Sequence, residues 1–436
     1  MAGAPTDVSA RRILALALPA LGVLAANPLY LLLDTAVVGR LGTAELAALA
    51  AGTAVQSTVT TQLTFLSYGT TARASRLFGA GKRDAAVAEG VQATWVAVLV
   101  GCALAALVWA FAHPVALFLT NDAGAAEAAV RWMRVAAFAI PLTLVIMAGN
   151  GWLRAVQNTR LPLVLTLCGL VPGGVALPLL VGRFGLVGSA AANLLGMGIT
   201  ASLFLLVLAR EHTGAWGPRW EVIRSQLALG RDLILRSLSF QVSFLAAAAV
   251  AGRFGVASLA AHQIMLQLWN FLTLVLDSLA IAAQTLTGAA LGRGSAAEAR
   301  RVGTQATGFS VAFSLVLAGV FLVLGGPIQR IFTADTAVLD ALVVPWWLLI
   351  AMIGAGGVVF ALDGVLLGAG DAAFLRNLTM GAVLLGFLPL TGAALYFGWG
   401  LAGIWAGHLA SVLLRLGGVV KRFGSMRWAT VGEKRA

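Results

Sequence analysis

Charged residues are scarce in this chain of 436 residues. They make up 11% of it, whereas soluble domains carry about 25%, and 60% of its residues are hydrophobic. A composition so poor in charge excludes a water-soluble globule and a disordered chain. The net charge of +12 does not indicate nucleic-acid binding, because the Lys and Arg residues are dispersed between apolar runs rather than clustered.

Cysteine is equally rare. The two cysteines, Cys102 and Cys168, both lie inside apolar runs. This placement excludes a disulfide framework and indicates two small core hydrophobes. We also expect no cofactor and no metal site.

Long apolar runs are what the chain has in abundance. A membrane-spanning helix needs roughly 20 apolar residues. The first run follows Arg11 and Arg12 as in a signal peptide, but it is too long for a signal core and is predicted to be an uncleaved span. Gly, Pro and charged residues separate twelve predicted spans: 13–38, 46–71, 90–112, 130–152, 161–182, 186–209, 232–252, 259–286, 302–326, 340–367, 374–397 and 400–420.

The run 46–71 is the weakest of these spans, because it contains many Thr, Ser and Gln residues, including Gln56 and Gln62. Such a polar stripe is costly against lipid, so we expect it to face other helices or a water-filled cavity. Packing of small hydroxyl side chains between helices explains each single residue equally well.

The distribution of basic residues predicts the orientation. With twelve spans, 21 Lys and Arg residues fall on the side of the termini and six on the opposite side. Basic residues are enriched in cytoplasmic loops, so both termini are predicted to be cytoplasmic, in a multi-pass protein of the cell membrane.

An internal repeat divides the chain into two halves. Residues 38–48 align with 251–261 at a shift of 213 residues, and Gly151 aligns with Gly364 at the same shift. The predicted organisation is a six-helix bundle at 1–209, a cytoplasmic linker at 210–231, a second six-helix bundle at 232–423 and a tail at 424–436. An even number of spans per half implies a pseudo-two-fold axis along the membrane normal.

Two such bundles are expected to enclose a cleft that opens alternately to each side as they rock. This all-α architecture favours a secondary transporter over an enzyme.

Three carboxylates fall inside predicted spans, and Asp34 lies in the first of them. A buried ionised side chain costs several kcal/mol unless it is solvated, paired or protonated. An apolar surrounding would let Asp34 exchange a proton near neutral pH, which makes it the candidate coupling residue. A fixed hydrogen bond between helices is the structural alternative.

The other two, Asp277 and Asp363, lie nearer the cytoplasmic ends of their spans. Arg236 is expected at a similar depth, so we predict a salt bridge with one of them, acting as a fixed staple or an inner gate. Other polar candidates for a cavity are Asn150, which is the repeat equivalent of Asp363, and Gln241, Gln267 and Asn270.

Several motifs resemble the multidrug and toxic compound extrusion family. They are Leu16–Ala20, Asp34–Gly42 and Asp363–Asp371, and the run Leu274–Gln284 is similar to its DinF-like branch. The resemblance implies cation-driven export of amphipathic, often cationic organic compounds. It also implies that Asp34 is the coupling carboxylate, that Pro19 is the helix-bending proline and that Asp363 is the acidic residue of the second cavity.

One departure from the family bears on the coupling ion. Many relatives carry an Asn and an Asp before a proline in the fifth helix, whereas this chain has Gly173 and Leu177 before Pro178. A Na⁺ site built from several oxygens is therefore poorly supplied, and H⁺ is favoured over Na⁺.

The rival functions are a lipid-linked sugar flippase and a membrane enzyme. A flippase needs a strongly cationic cavity, whereas we count three embedded acids against about one arginine, so a cationic substrate fits better. The three acids are too isolated for a metal-dependent transferase. We expect a monomer in the lipid bilayer that binds a small organic substrate and H⁺ or Na⁺.

Overall fold

The computed structural model describes residues 9–120 and 123–432, and this part of the chain contains no β-strand. The ends of the predicted domains, residues 1–8 and 433–436, lie outside the described residues. Sixteen α-helices and one π-helical turn at Val383–Phe387 make up the described fold. The helices are α1 Ala10–Val38, α2 Thr43–Leu63, α3 Phe65–Gly79, α4 Arg83–Thr120, α5 Ala123–Ala136, α6 Ala139–Ala155, α7 Arg160–Phe184, α8 Leu186–Glu211, α9 Trp220–Arg253, α10 Val256–Gly292, α11 Ala296–Val323, α12 Gly325–Phe332, α13 Thr336–Gly368, α14 Ala372–Ala382, α15 Leu388–Phe397 and α16 Gly400–Gly424.

The predicted all-α membrane class is confirmed. Ten helical segments in the described part of the chain are long and apolar enough to cross a membrane, and the bent pair α5–α6, with its 43° angle, would make eleven. All twelve predicted spans lie in helical parts of the chain, but 46–71, 130–152 and 302–326 each run across a break between two helices.

The predicted span 46–71 is not one straight helix. The structure breaks it at Thr64, where α2 ends and α3 begins, and α3 continues to Gly79. The hydroxyl of Thr64 donates to the backbone carbonyl of Thr61 at 2.8 Å, and the hydroxyl of Thr60 donates to the backbone carbonyl of Gln56 at 2.7 Å. Hydroxyls that bond to the preceding turn compete with the helical backbone and bend it, which is a physical reason for the break.

The chain divides into two compact units. One is Leu18–Gly230, called the N-terminal unit below; the other joins Arg231–Arg435 to the segment up to Ala17 and is called the C-terminal unit. The core of the N-terminal unit packs around Trp132, Leu49 and Leu177. The core of the C-terminal unit packs around Trp405, Leu272 and Phe387.

The two units repeat the same helix contacts. Small residues let helices approach closely. A glycine at which a Cβ would collide with a neighbouring helix therefore marks such a contact. Three close contacts of the N-terminal unit recur in the C-terminal unit 213 residues later. The contact of Gly90 with Trp152 recurs as Gly303 with Val365, that of Gly101 with Leu144 as Ser314 with Gly357, and that of Gly151 with Ser67 as Gly364 with Ala280. The shift seen in the sequence is therefore also the shift of the packing.

Candidate functional site

Asp34 is a buried carboxylate near the C-terminal end of α1, and only 2% of its surface is exposed. Its Oδ2 accepts a hydrogen bond of 2.9 Å from the hydroxyl of Ser189 on α8, which is itself completely buried. The side chain therefore points into the N-terminal unit and not towards the unit's surface.

A buried tryptophan extends this contact. Nε1 of Trp132 on α5 donates to the hydroxyl of Ser189 at 3.1 Å. The Trp132 ring lies against Gly52 on α2, where any Cβ would collide with it. Because an indole N–H can only donate, the Ser189 hydroxyl accepts that bond and has its own proton free to give to Asp34.

The charge of an ionised Asp34 is left almost uncompensated. Within the described residues no basic side chain forms an ion pair with it, and its Oδ1 is buried without a hydrogen-bond partner. One helical turn earlier, the hydroxyl of Tyr30 is also buried without a partner. A carboxylate held by one neutral hydroxyl bond is far more easily accommodated as the neutral acid. Chemically, the site is suited to taking up and giving off a proton.

Residues that would build a multi-oxygen cation site are scarce here. Gly173 and Leu177 on α7 are buried in the N-terminal unit and carry no side-chain oxygen. Among the described residues no group of three or more His, Cys, Asp or Glu side chains is placed to hold a metal ion.

Asp363 on α13 is the centre of a second buried cluster, in the C-terminal unit. Arg236 on α9 forms an ion pair with its Oδ2, and Arg415 on α16 forms another with the same oxygen at 2.5 Å. Sequence reasoning placed Arg236 beside Asp277 or Asp363, and the structure places it at Asp363. Whether the pair is a staple or a gate stays a prediction.

Sequence reasoning missed Arg415. Its side chain is only 6% exposed. The available signal was its position inside an apolar run, nine residues before the end of α16. With Arg415 included, this cluster contains two arginines and one aspartate, so the expected balance of three acids against about one arginine does not describe it.

The remaining predicted cavity residues are dispersed. Asn150 is buried on α6 with an unpartnered Oδ1, whereas Gln56 and Gln62 on α2, Gln241 on α9 and Asp277 on α10 are half-buried, and Gln267 and Asn270 on α10 are exposed. Gln56 lines a small cavity together with Gly52 and Trp132, which connects it to the surroundings of Asp34. Pro19 lies inside α1, which continues through it.

Comparisons with known proteins agree on one family. A family model described as MatE matches residues 19–180 and 233–390. Protein DETOXIFICATION 44, chloroplastic, from Arabidopsis thaliana is 31% identical over 95% of this chain and 82% of its own length. DNA damage-inducible protein F from Escherichia coli K12 is 28% identical over 90% and 91%. Probable multidrug resistance protein NorM from Thermotoga maritima is 23% identical over 98% and 94%.

The fold is also found among solved structures. A crystal structure of a MATE in the bent conformation superimposes with a TM-score of 0.88 and covers 96% of both chains at 20% sequence identity. At that identity the likeness concerns the fold alone.

Proposed function

The chain belongs to the MatE family of membrane transporters, as its motifs indicated, and on this premise we propose that it exports amphipathic, cationic organic compounds in exchange for protons. Family membership makes it a multi-pass transporter for drug or toxin extrusion and not an enzyme. The coupling ion, the charge of the cargo and the residues involved are the content of the proposal.

The burial of Asp34 among neutral groups is the observation that carries proton coupling. Its one hydrogen bond comes from a hydroxyl, and one carboxylate oxygen has no partner. A proton compensates the charge of such a carboxylate without further ligands, whereas Na⁺ needs several oxygens. Asp34 is therefore the group that carries the proton.

The same environment supports a cationic cargo. Once Asp34 has released its proton, its negative charge has no basic partner in the described part of the N-terminal unit. A cationic group on the transported compound can compensate that charge, so compound and proton compete for one carboxylate. Competition for a shared site links export of the one to import of the other when the protein changes its open side only with one of them bound.

The first helix is where this competition is converted into movement. Pro19 and Pro28 both lie inside α1, on the same helix as Asp34. Each proline removes one backbone hydrogen bond and crowds the preceding turn, so the helix can bend there. We assign Pro19 the role of a bending point whose geometry responds to the protonation of Asp34.

The remaining parts of the proposal follow from charge distribution. The enrichment of Lys and Arg on one side supports cytoplasmic termini and a position in the cell membrane. We further propose that it works as a monomer without a cofactor.

Transport in proteoliposomes tests the proposal. Purified protein is reconstituted, and uptake of a fluorescent amphipathic cation is followed under a pH gradient and, separately, under a Na⁺ gradient. We expect transport driven by the pH gradient alone. Transport driven only by Na⁺ would refute proton coupling.

A further inference from the structure

The C-terminal unit contains a buried group with an excess of positive charge. Arg236 and Arg415 both pair with Asp363, so two cations share one anion. The side chains of Arg415 and Asp363 are each 6% exposed, and that of Arg236 is 13% exposed. A buried positive charge without a partner is costly. One more anion would neutralise the net positive charge of this group.

The hydrogen bonds of Arg236 and Arg415 show which of their nitrogen atoms could bind a further anion. Both use Nη2 to reach the same Oδ2, and Nε of Arg236 donates to Thr379 at 3.4 Å. Nε and Nη1 of Arg415 and Nη1 of Arg236 have no hydrogen-bond partner within the described residues. Three N–H-bearing nitrogens of the cluster are thus unused.

Two other ion pairs of the C-terminal unit, each between one arginine and one carboxylate, are built differently. Arg422 holds Asp371 through Nε at 2.7 Å and Nη2 at 3.1 Å, one oxygen each. Arg293 holds Glu298 in the same bidentate way. A bidentate fork is the complete arrangement for an arginine and a carboxylate. Around Asp363 neither fork is complete, which distinguishes this cluster from a purely structural pair.

Basic groups continue from the cluster along α9 and α14. Asp232, one turn before Arg236, pairs with Arg376 at 2.5 Å and with Arg231 at 3.2 Å. Here, too, two arginines share one carboxylate. The positive excess therefore extends along α9 from Arg231 to Arg236 and would attract an anion towards Arg236 and Arg415.

An aromatic side chain gives the cluster an apolar side. The ring of Phe240 lies 4.8 Å from the guanidinium carbon of Arg415 and 5.7 Å from that of Arg236. One turn further, Phe244 packs against His408 with ring centroids 5.3 Å apart. An anion that bonds to the arginines would have its organic body against these rings.

We propose that Arg236 and Arg415 form a binding site for the carboxylate of an amphipathic organic acid. The ligand's carboxylate takes the unused N–H groups of the two arginines, and its apolar body packs on Phe240. This site goes beyond the proposed function, whose exported compounds are cations, and the inference concerns binding alone.

Direct binding to the purified full-length protein tests the site. Phenylbutyrate is titrated in non-ionic detergent and low-chloride buffer, with the neutral amide of the same acid as the matched ligand. We expect the amide to bind at least about tenfold more weakly, because charge-assisted hydrogen bonds are lost. Equal binding of acid and amide by the unaltered protein would overturn the proposal without recourse to any variant.

Variants then locate the site. Arg236→Gln and Arg415→Gln should each weaken phenylbutyrate binding about tenfold or more and leave amide binding unchanged. Arg422→Gln, at the bidentate pair with Asp371, is the matched control and should bind as the parent does. Undiminished acid binding by a folded Arg236→Gln protein would exclude the assigned site.

A further comparison separates this inference from the export proposal. Asp34→Asn should bind phenylbutyrate as the parent does while losing pH-driven transport. If Asp34→Asn transports normally and acid binding still requires Arg236, the carboxylate site stands and the proton-coupling proposal fails.

Discussion

The hydroxyl of Ser189 and the carboxylate of Asp34 are 2.9 Å apart, although 155 residues separate them in the chain. This bond joins α8 to α1, and Trp132 on α5 donates to the same hydroxyl. Three helices of the N-terminal unit thus meet at one carboxylate. Under the proposed function, a change in the protonation of Asp34 would therefore act on all three helices.

Removing the Ser189 hydroxyl should impair transport more than removing the Trp132 donor. Ser189→Ala deprives Asp34 of its one hydrogen bond, whereas Trp132→Phe keeps the ring against Gly52 and loses only the bond to Ser189. We expect pH-driven transport to fall several-fold in Ser189→Ala and less in Trp132→Phe, with both proteins folded. Initial rates in proteoliposomes provide the comparison. A larger loss of transport in Trp132→Phe than in Ser189→Ala would contradict this prediction.

The repeated glycine contacts predict a position-specific loss of stability. In Gly364→Ala the new methyl group would collide with the backbone of Ala280, which cannot move aside easily. We expect a loss of about 1–3 kcal/mol from overpacking. Gly354→Ala, on the same helix but facing open space, is the control and should not lose stability, because alanine favours a helix more than glycine does. Thermal unfolding in detergent measures both, and similar midpoints for the two would refute the packing argument.

The Asp363 cluster predicts non-additive stability. Asp363→Asn leaves Arg236 and Arg415 buried without their shared anion, which should cost about 3–5 kcal/mol. Adding Arg415→Gln restores the parent's net charge in the cluster and should recover part of that loss. The unfolding midpoints of the two single variants and the double variant test this. A double variant less stable than Asp363→Asn would show that charge does not govern the cluster.

Orientation can be tested by labelling. In a background lacking Cys102 and Cys168, an exposed Ala334→Cys should react with a membrane-impermeant maleimide added to intact cells. Gly214→Cys, in the loop before α9, should react only after the membrane is opened. The opposite pattern would invert the proposed topology.

Much of the fold was predictable because membrane energetics leaves a strong trace in sequence. Twelve apolar runs coincide with helical stretches, since a span has to be apolar over roughly 20 residues. The division of 46–71 at Thr64 was not predicted. Its threonines were interpreted as a polar face, whereas several of them bond to their own backbone.

The candidate site was predictable only in its charged members. Asp34 and Arg236 are conspicuous in apolar surroundings because burying a charge is costly. Ser189 and Trp132 are ordinary residues of apolar helices, and nothing local marks them as partners of Asp34. Arg415 lies close to the predicted span end at residue 420, whereas α16 continues to Gly424, so the residue is deeper in its helix than the apolar run indicates.

Proton release on substrate binding tests the central claim most directly. An amphipathic cation is added to purified protein in a weakly buffered solution containing a pH indicator, and Asp34→Asn is measured beside the parent. We predict that the parent releases protons as the compound binds and that Asp34→Asn releases none. Equal proton release by the two proteins would contradict the assignment of Asp34 as the residue that exchanges a proton for cargo.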